Sequence, residues 1–236
     1  MRNIQLIYTI LFLAIVMGAP IHAQDWPNLS KYHEQNVALK PPTTGQQRIV
    51  FMGDSITEFW NTIDSDYFIG KAYVNRGISG QTTPQMLIRF RADVIDLKPT
   101  AVLILAGIND IAGNTGPSTL NMIENNIISM VELAQANQIK VILCSVLPAF
   151  NFPWKPNLNP AEKVVTLNKR IKSYADANRI LYLDYFSAMN DERNGLKAAY
   201  SNDGVHPNKM GYQVMAPLAE KAIAKILLVK TLNTPE

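Results

Sequence analysis

Arg48-Ile49-Val50-Phe51-Met52 runs directly into Gly53-Asp54-Ser55-Ile56-Thr57. A short apolar run that stops at small polar residues predicts a buried strand handing over to a helix, with Ser55 at the junction. Four more runs read the same way: Ala72 to Asn75, Ala101 to Ala106, Lys140 to Val146 and Ile180 to Tyr185. Helical spacing fills the gaps. Thr83-Pro84 offers a cap and a first-turn proline ahead of Leu87, Phe90, Val94 and Leu97, and Ser118 offers a cap ahead of Leu120, Ile123, Ile127, Met130 and Ala134. Asn159-Pro160-Ala161-Glu162 supplies a cap, a first-turn proline and a capping-box glutamate, and a last helix runs from about Asn208 to Val229 with a kink near Pro217. Strand alternating with helix demands parallel pairing through right-handed crossovers, so the expectation is one three-layer α/β domain.

Residues 1–23 carry Arg2 as their only charge, an apolar run from Leu6 to Met17, and Ile21-His22-Ala23 at the end. This predicts a signal peptide cleaved after Ala23 and a secreted or periplasmic domain over 24–236, with an uncleaved N-terminal anchor as the alternative. The run is short for a membrane span. The sole cysteine is Cys144, so no lipidated cysteine follows the cleavage point and no internal disulfide can form. In the apolar run Val141 to Val146 its thiol reads as buried structure.

Removal of 23 residues from 236 leaves 213, a size that buries enough core to need no scaffold, and net charge falls from +3 to +2. With 47% hydrophobic and 17% charged residues this is an ordinary globular composition. The pair Arg89 and Arg91 reads as solvated helix surface, and nucleic acid is not an expected partner. Only His33 and His206 remain after processing. No metal-ligand spacing, phosphate loop or dinucleotide fingerprint occurs, and neither metal nor cofactor is expected.

In an open parallel sheet, ligands bind beyond the carboxyl ends of the strands. The residues there are Gly53-Asp54-Ser55-Ile56-Thr57, Gly77-Ile78-Ser79-Gly80-Gln81-Thr82, Gly107-Ile108-Asn109-Asp110 and Asn202-Asp203-Gly204-Val205-His206-Pro207. Ser55 at a helix start suits a nucleophile, which needs a base. His33 lies in a polar helix pattern, whereas His206 stands three residues after Asp203, close enough for the carboxylate to orient the ring. The alternative for that pair is a helix-entry loop with a capping carboxylate. Gly80 can offer an unobstructed amide and Asn109 a side-chain amide to an oxyanion; alternatively they are turn residues.

Gly53 to Thr57, Asn75 to Thr82, Gly107 to Asp110 and Asp203 to Asn208, in that order, resemble the motifs of the SGNH or GDSL esterases and acylhydrolases. The resemblance implies a flavodoxin-like sheet of order 2-1-3-4-5, Ser55 as nucleophile, His206 as base, Asp203 as third triad member, and an oxyanion hole of the Ser55 amide, Gly80 and Asn109. Phe59 stands where relatives often carry glycine, which narrows the rim beside Ser55. The GxSxG elbow of another large esterase fold is absent.

Within that family the chain is most similar to secreted bacterial carbohydrate acetylesterases and to the platelet-activating factor acetylhydrolase-like branch. A small acyl ester, such as an acetylated glycan, is the expected substrate. Trp60 and Trp154 can stack on sugar faces or simply pack, and the proline-rich segment Pro148 to Pro160, with Phe150, Phe152 and Trp154, is expected to fold over something. The competing readings are a lipid or thioester acylhydrolase and a catalytically silent glycan-binding module.

Overall fold

The computed structural model describes residues 24–228, so the expected signal peptide lies outside the described residues. Five parallel strands form one sheet in the order β2-β1-β3-β4-β5. They are β1 (Ile49–Gly53), β2 (Tyr73–Gly77), β3 (Ala101–Leu105), β4 (Lys140–Cys144) and β5 (Leu181–Leu183). The helices are α1 (His33–Ala38), α2 (Ser55–Ile63), α3 (Thr83–Asp93), α4 (Ile108–Ile111), α5 (Leu120–Ala136), α6 (Ala161–Ala177), α7 (Phe186–Met189) and α8 (Lys209–Leu228). Helices α3, α5 and α6 pack side by side on one face, and α2 and α8 meet on the other. Buried on both faces, β1 and β3 are apolar throughout because no position in them meets water.

Register sets the rim. Gly53 pairs with Gly77 and with Leu105, so the ends of β1, β2 and β3 lie level and their following loops emerge together. Gly77 permits that convergence, because a Cβ there would stand 2.1 Å from the Glu58 amide nitrogen and 2.7 Å from the Asp54 carbonyl oxygen. The strand reaches Gly77, two residues beyond the expected Asn75.

The expected caps shift by one residue. Thr82, not Thr83, caps α3, in a capping box with Gln85. Thr119, not Ser118, caps α5 and accepts from the Met122 amide. Helix α6 begins after Pro160 without a side-chain cap, so the expected Asn159–Glu162 box does not form. Helix α8 runs through Pro217, with Asn208 Oδ1 accepting the Gly211 amide at its start.

Two expectations about exposure are overturned. Arg91 is on the surface, but Arg89 is 0% exposed. It donates to Gln81 Oε1 (2.5 Å), Asp93 Oδ2 (2.9 Å) and the Gly53 carbonyl (2.9 Å), partners that only the folded chain gathers. Trp60, 2% exposed, belongs to the core between β1, α2 and α8. It stacks on Tyr67 at 4.5 Å and Tyr212 at 5.3 Å and meets Phe51 edge-on, so it reaches no substrate. Cys144 is buried, and burial pushes its thiol pKa up, away from the reactive thiolate. Among the described residues no helix is long and apolar enough to cross a membrane.

Candidate active site

Ser55 opens α2 at the end of β1. Asp54 caps that helix through Oδ1, which accepts the Ile56 amide at 2.9 Å. Its other oxygen is buried with no hydrogen-bond partner among the described residues, and burial pushes the carboxyl pKa up to about 7.

Ser55 Oγ lies 2.9 Å from His206 Nε2, and His206 Nδ1 lies 2.7 Å from Asp203 Oδ2. The second Asp203 oxygen accepts the amides of Val205 (2.9 Å) and His206 (2.8 Å), so one carboxylate fixes both the backbone and the ring of the histidine. Burial opposes ionisation of Asp203, but the hydrogen bonds from His206 and Val205 outweigh it and hold its pKa below the usual value. A carboxylate facing Nδ1 keeps the proton there and turns the Nε2 lone pair to Ser55. Asp203 caps no helix, since Asn208 serves α8, which removes the alternative reading of this loop. Ser201 was missed: its hydroxyl donates to the His206 carbonyl (2.7 Å) and accepts the Gly204 amide (2.9 Å), bracing the loop. His33 is exposed on α1, apart from this chain of groups.

Gly80 has φ +77°, in the loop between β2 and α3. Every amide around it is engaged: Ile78 donates to the Gly53 carbonyl, Ser79 to Glu58, Gln81 to the Ile78 carbonyl and Thr82 to Gln85. Among the described residues nothing accepts from the Gly80 amide. Asn109, on the single turn of α4, is 6% exposed. Its Oδ1 accepts from Asn114 Nδ2 (2.9 Å) and its Nδ2 donates to the Gln81 carbonyl (3.1 Å), which leaves one N–H of the amide uncommitted. Asn114 therefore fixes which end of Asn109 is the donor, and it also donates to the Gly80 carbonyl at 3.3 Å. No motif marked Asn114, because its role depends on a loop contact across 34 residues.

The aromatic segment does fold over the site. Phe152 is buried, and Trp154, 47% exposed, stacks on it at 5.4 Å. That places the Trp154 ring 6.1 Å from the His206 ring, while the half-buried Phe59 lies 5.4 Å from the same imidazole. Two aromatic rings thus flank the histidine. Among the described residues no group of three or more histidine, cysteine, aspartate or glutamate side chains can hold a metal ion.

A parallel sheet of this order, with a hydroxyl, an imidazole and a carboxylate hydrogen-bonded in series at its carboxyl edge, is the layout of an α/β ester hydrolase. The chain belongs to the GDSL-like Lipase/Acylhydrolase family, whose profile matches residues 51–214. It is a carboxylic ester hydrolase of that family. It is 48% identical to a provisionally named acylhydrolase from Bacteroides fragilis NCTC 9343, with TM-score 0.85 over 87% of this chain and 100% of that one. A GDSL-like lipase from Bacteroides thetaiotaomicron VPI-5482 is 47% identical, with TM-score 0.82 over 84% of this chain and 98% of that one. An uncharacterized lipoprotein, YqeF of Bacillus subtilis (strain 168), is 31% identical over 121 residues, or 44% of this chain; the match spans half of that relative's length.

Proposed function

We propose that the chain is an exported serine esterase that removes short acyl groups, acetyl foremost, from a carbohydrate. The observation that carries this reading is the series Ser55 Oγ, His206 Nε2 and Nδ1, and Asp203 Oδ2, joined at 2.9 and 2.7 Å beside an unclaimed Gly80 amide. Ser55 Oγ attacks the ester carbonyl carbon while its proton passes to His206 Nε2. The carbonyl π pair moves onto oxygen, and the resulting oxyanion takes hydrogen bonds from the amides of Ser55 and Gly80 and from Asn109 Nδ2. Collapse re-forms the carbonyl, breaks the bond to the alcohol oxygen, and the departing alkoxide takes the proton from His206. Water then repeats the sequence on the acyl-serine, releasing the acid and restoring Ser55.

Phe59 and Trp154, pressed close to His206, support a short acyl group and a flat alcohol-side platform. The exposed indole held on Phe152 is suited to the apolar face of a sugar ring. Export is supported by the leader-like composition of residues 1–23 and by a relative named as a lipoprotein.

The test is kcat/KM on 4-nitrophenyl esters from acetyl to octanoyl, then on acetylated oligosaccharides, for the wild type and three variants. Ser55→Ala should fold and lose turnover. Asn109→Ala should lose about 100- to 1,000-fold in kcat with little change in KM. Trp154→Ala should raise KM for the oligosaccharides more than for the chromogenic acetate. An active Ser55→Ala enzyme would remove the mechanism, and a preference for octanoyl esters would move the chain to lipid substrates.

A further inference from the structure

The loop that carries Gly80 is anchored at both ends by the buried Ile78, Gln81 and Thr82, but its tip, Ser79 and Gly80, is exposed at the rim and has no packing of its own. A glycine at positive φ has wide conformational freedom, so the direction of its N–H depends on what restrains the residues on either side. After Gly80 the restraints come from α4 and its exit, through Asn114 on the Gly80 carbonyl and Asn109 on the Gln81 carbonyl. Before Gly80, Ile78 is held by its amide on the Gly53 carbonyl and by the turn bond its carbonyl accepts from the Gln81 amide, and Ser79, the residue next to Gly80, is held by Glu58. Its Oε2 accepts both the Ser79 amide (2.7 Å) and the Ser79 hydroxyl (2.5 Å), and its Oε1 pairs with Lys31 Nζ at 2.8 Å.

Lys31 belongs to the segment 25–38, which lies along the same loop. Pro27 supplies a carbonyl to Gln81 Nε2 at 2.6 Å, Trp26 one to Gln85 Nε2 at 2.8 Å, and the Tyr32 hydroxyl donates to the Gly77 carbonyl. Glu58 stands one turn after Ser55 on α2. A single short helix therefore presents the reacting hydroxyl at its first residue and the restraint on the oxyanion loop at its fourth.

We infer that Glu58 is a positioning residue for the esterase reaction, fixing the Gly80 amide relative to Ser55, and that Lys31 of the N-terminal segment holds Glu58 in place. The inference rests on the reading of Gly80 as an oxyanion donor. Such a residue touches neither substrate nor the reacting atoms. Its loss should act on the tetrahedral species and spare ground-state binding, because a small misplacement of a catalytic donor is costly only where charge develops.

The experiment counts reactive serines by the release of 4-nitrophenolate from diethyl 4-nitrophenyl phosphate, then measures kcat per counted site and KM on 4-nitrophenyl acetate. Glu58→Ala should lower kcat per site by about 10- to 100-fold with KM changed by less than about 3-fold. Glu58→Gln, whose amide oxygen can still accept from Ser79, should recover to within about 5-fold of the wild type. Lys31→Met, a surface change that leaves α2 intact, should cost about 2- to 5-fold in kcat, and it carries the test if Glu58→Ala fails to fold. A purely structural role would reduce the number of counted sites and leave kcat per site at the wild-type level. That result, or an equal loss in Glu58→Gln and Glu58→Ala, would overturn the inference. If Glu58→Ala is fully active while Ser55→Ala is dead, only this inference fails; if Ser55→Ala also turns over, the underlying reading fails with it.

Discussion

Asp54 and Asp203 are carboxylates at the same rim with opposite electrostatic fates. Asp203 gains three hydrogen bonds from the His206 loop and stays ionised, whereas Asp54 gains one from Ile56 and leaves an oxygen unpartnered among the described residues. With burial raising its carboxyl from 3.8 to about 7, folded Asp54 holds its proton to higher pH than the unfolded chain does. Its contribution to stability is therefore full below about pH 4 and is lost as pH rises through about 7. The ceiling is about 4 kcal/mol, and relaxation around a real buried acid should leave about 1–2 kcal/mol of it. Asp54→Asn keeps an oxygen for the Ile56 amide and removes the titration. Between pH 5 and 8 the wild-type Tm should fall by roughly 2–8 °C more than that of the variant, measured by calorimetry. Parallel Tm profiles would show that Asp54 does not titrate in this window. At this scale the sequence marked Ser55, Asp203 and His206 because they fall in two short motifs, and the fold sets the three within hydrogen-bond distance of one another in series. It did not mark Asn114 or Glu58, whose contacts join separate loops, or Ser201, whose bonds appear only once the 201–206 loop is closed, and it left Trp60 open because α2 turns one face to the rim and another to the core.

Most element boundaries follow hydrophobic pattern to within a residue or two; the stripe read through Leu97 instead breaks after Asp93, with Ile95–Leu97 in a separate 3-10 turn, and the misplaced caps have a local cause. Ser118-Thr119 and Thr82-Thr83 each present two adjacent hydroxyls, and propensity cannot choose between neighbours of equal capping strength. The choice falls to tertiary contacts. Thr82 is the cap of α3 because Thr83 is taken by Asp110, which accepts both its amide and its hydroxyl. That bond ties α3 to α4, so the element carrying Asn109 is anchored to the element that follows the Gly80 loop. Strand order was legible only through family resemblance, since alternation of strand and helix dictates parallel pairing but not which strands are neighbours. The cap of α5 gives a clean test. Thr119→Ala should cost about 1 kcal/mol, or roughly 2–4 °C in Tm, by orphaning the Met122 amide. Ser118→Ala should change Tm by less than about 1 °C, and neither should alter kcat. Equal losses in the two variants would mean that the cap is shared.

Across the whole molecule, Arg89 is the point at which site and core become one structure. Its guanidinium joins the last carbonyl of β1, the Gln81 side chain of the Gly80 loop and Asp93 at the end of α3, and Asp93 in turn accepts from Asn36 of α1 at 2.7 Å. Composition could not reveal this, since an arginine two residues from Arg91 on a helix looks like solvated charge; only the closure of the sheet and the N-terminal segment over it takes it out of water. A buried pair of this kind need not be worth much against an apolar replacement, but removing one partner strands the other. Arg89→Met should therefore cost about 3–5 kcal/mol and lower Tm by roughly 6–20 °C, because Asp93 loses its bonded guanidinium and is left with the Asn36 amide and the more distant charge of Arg76. Adding Asp93→Asn removes that charge while leaving an oxygen for Asn36. The double variant should therefore be more stable than Arg89→Met by at least about 1 kcal/mol. Full recovery is not expected, since Gln81 Oε1 loses its donor, although the Gly53 carbonyl retains the Ile78 amide at 3.1 Å. Urea unfolding of the wild type, both single variants and the double variant gives the coupling directly. If the two single costs simply add, the stranded charge is not what destabilises Arg89→Met, and the loss would trace instead to the Gln81 and Gly53 contacts.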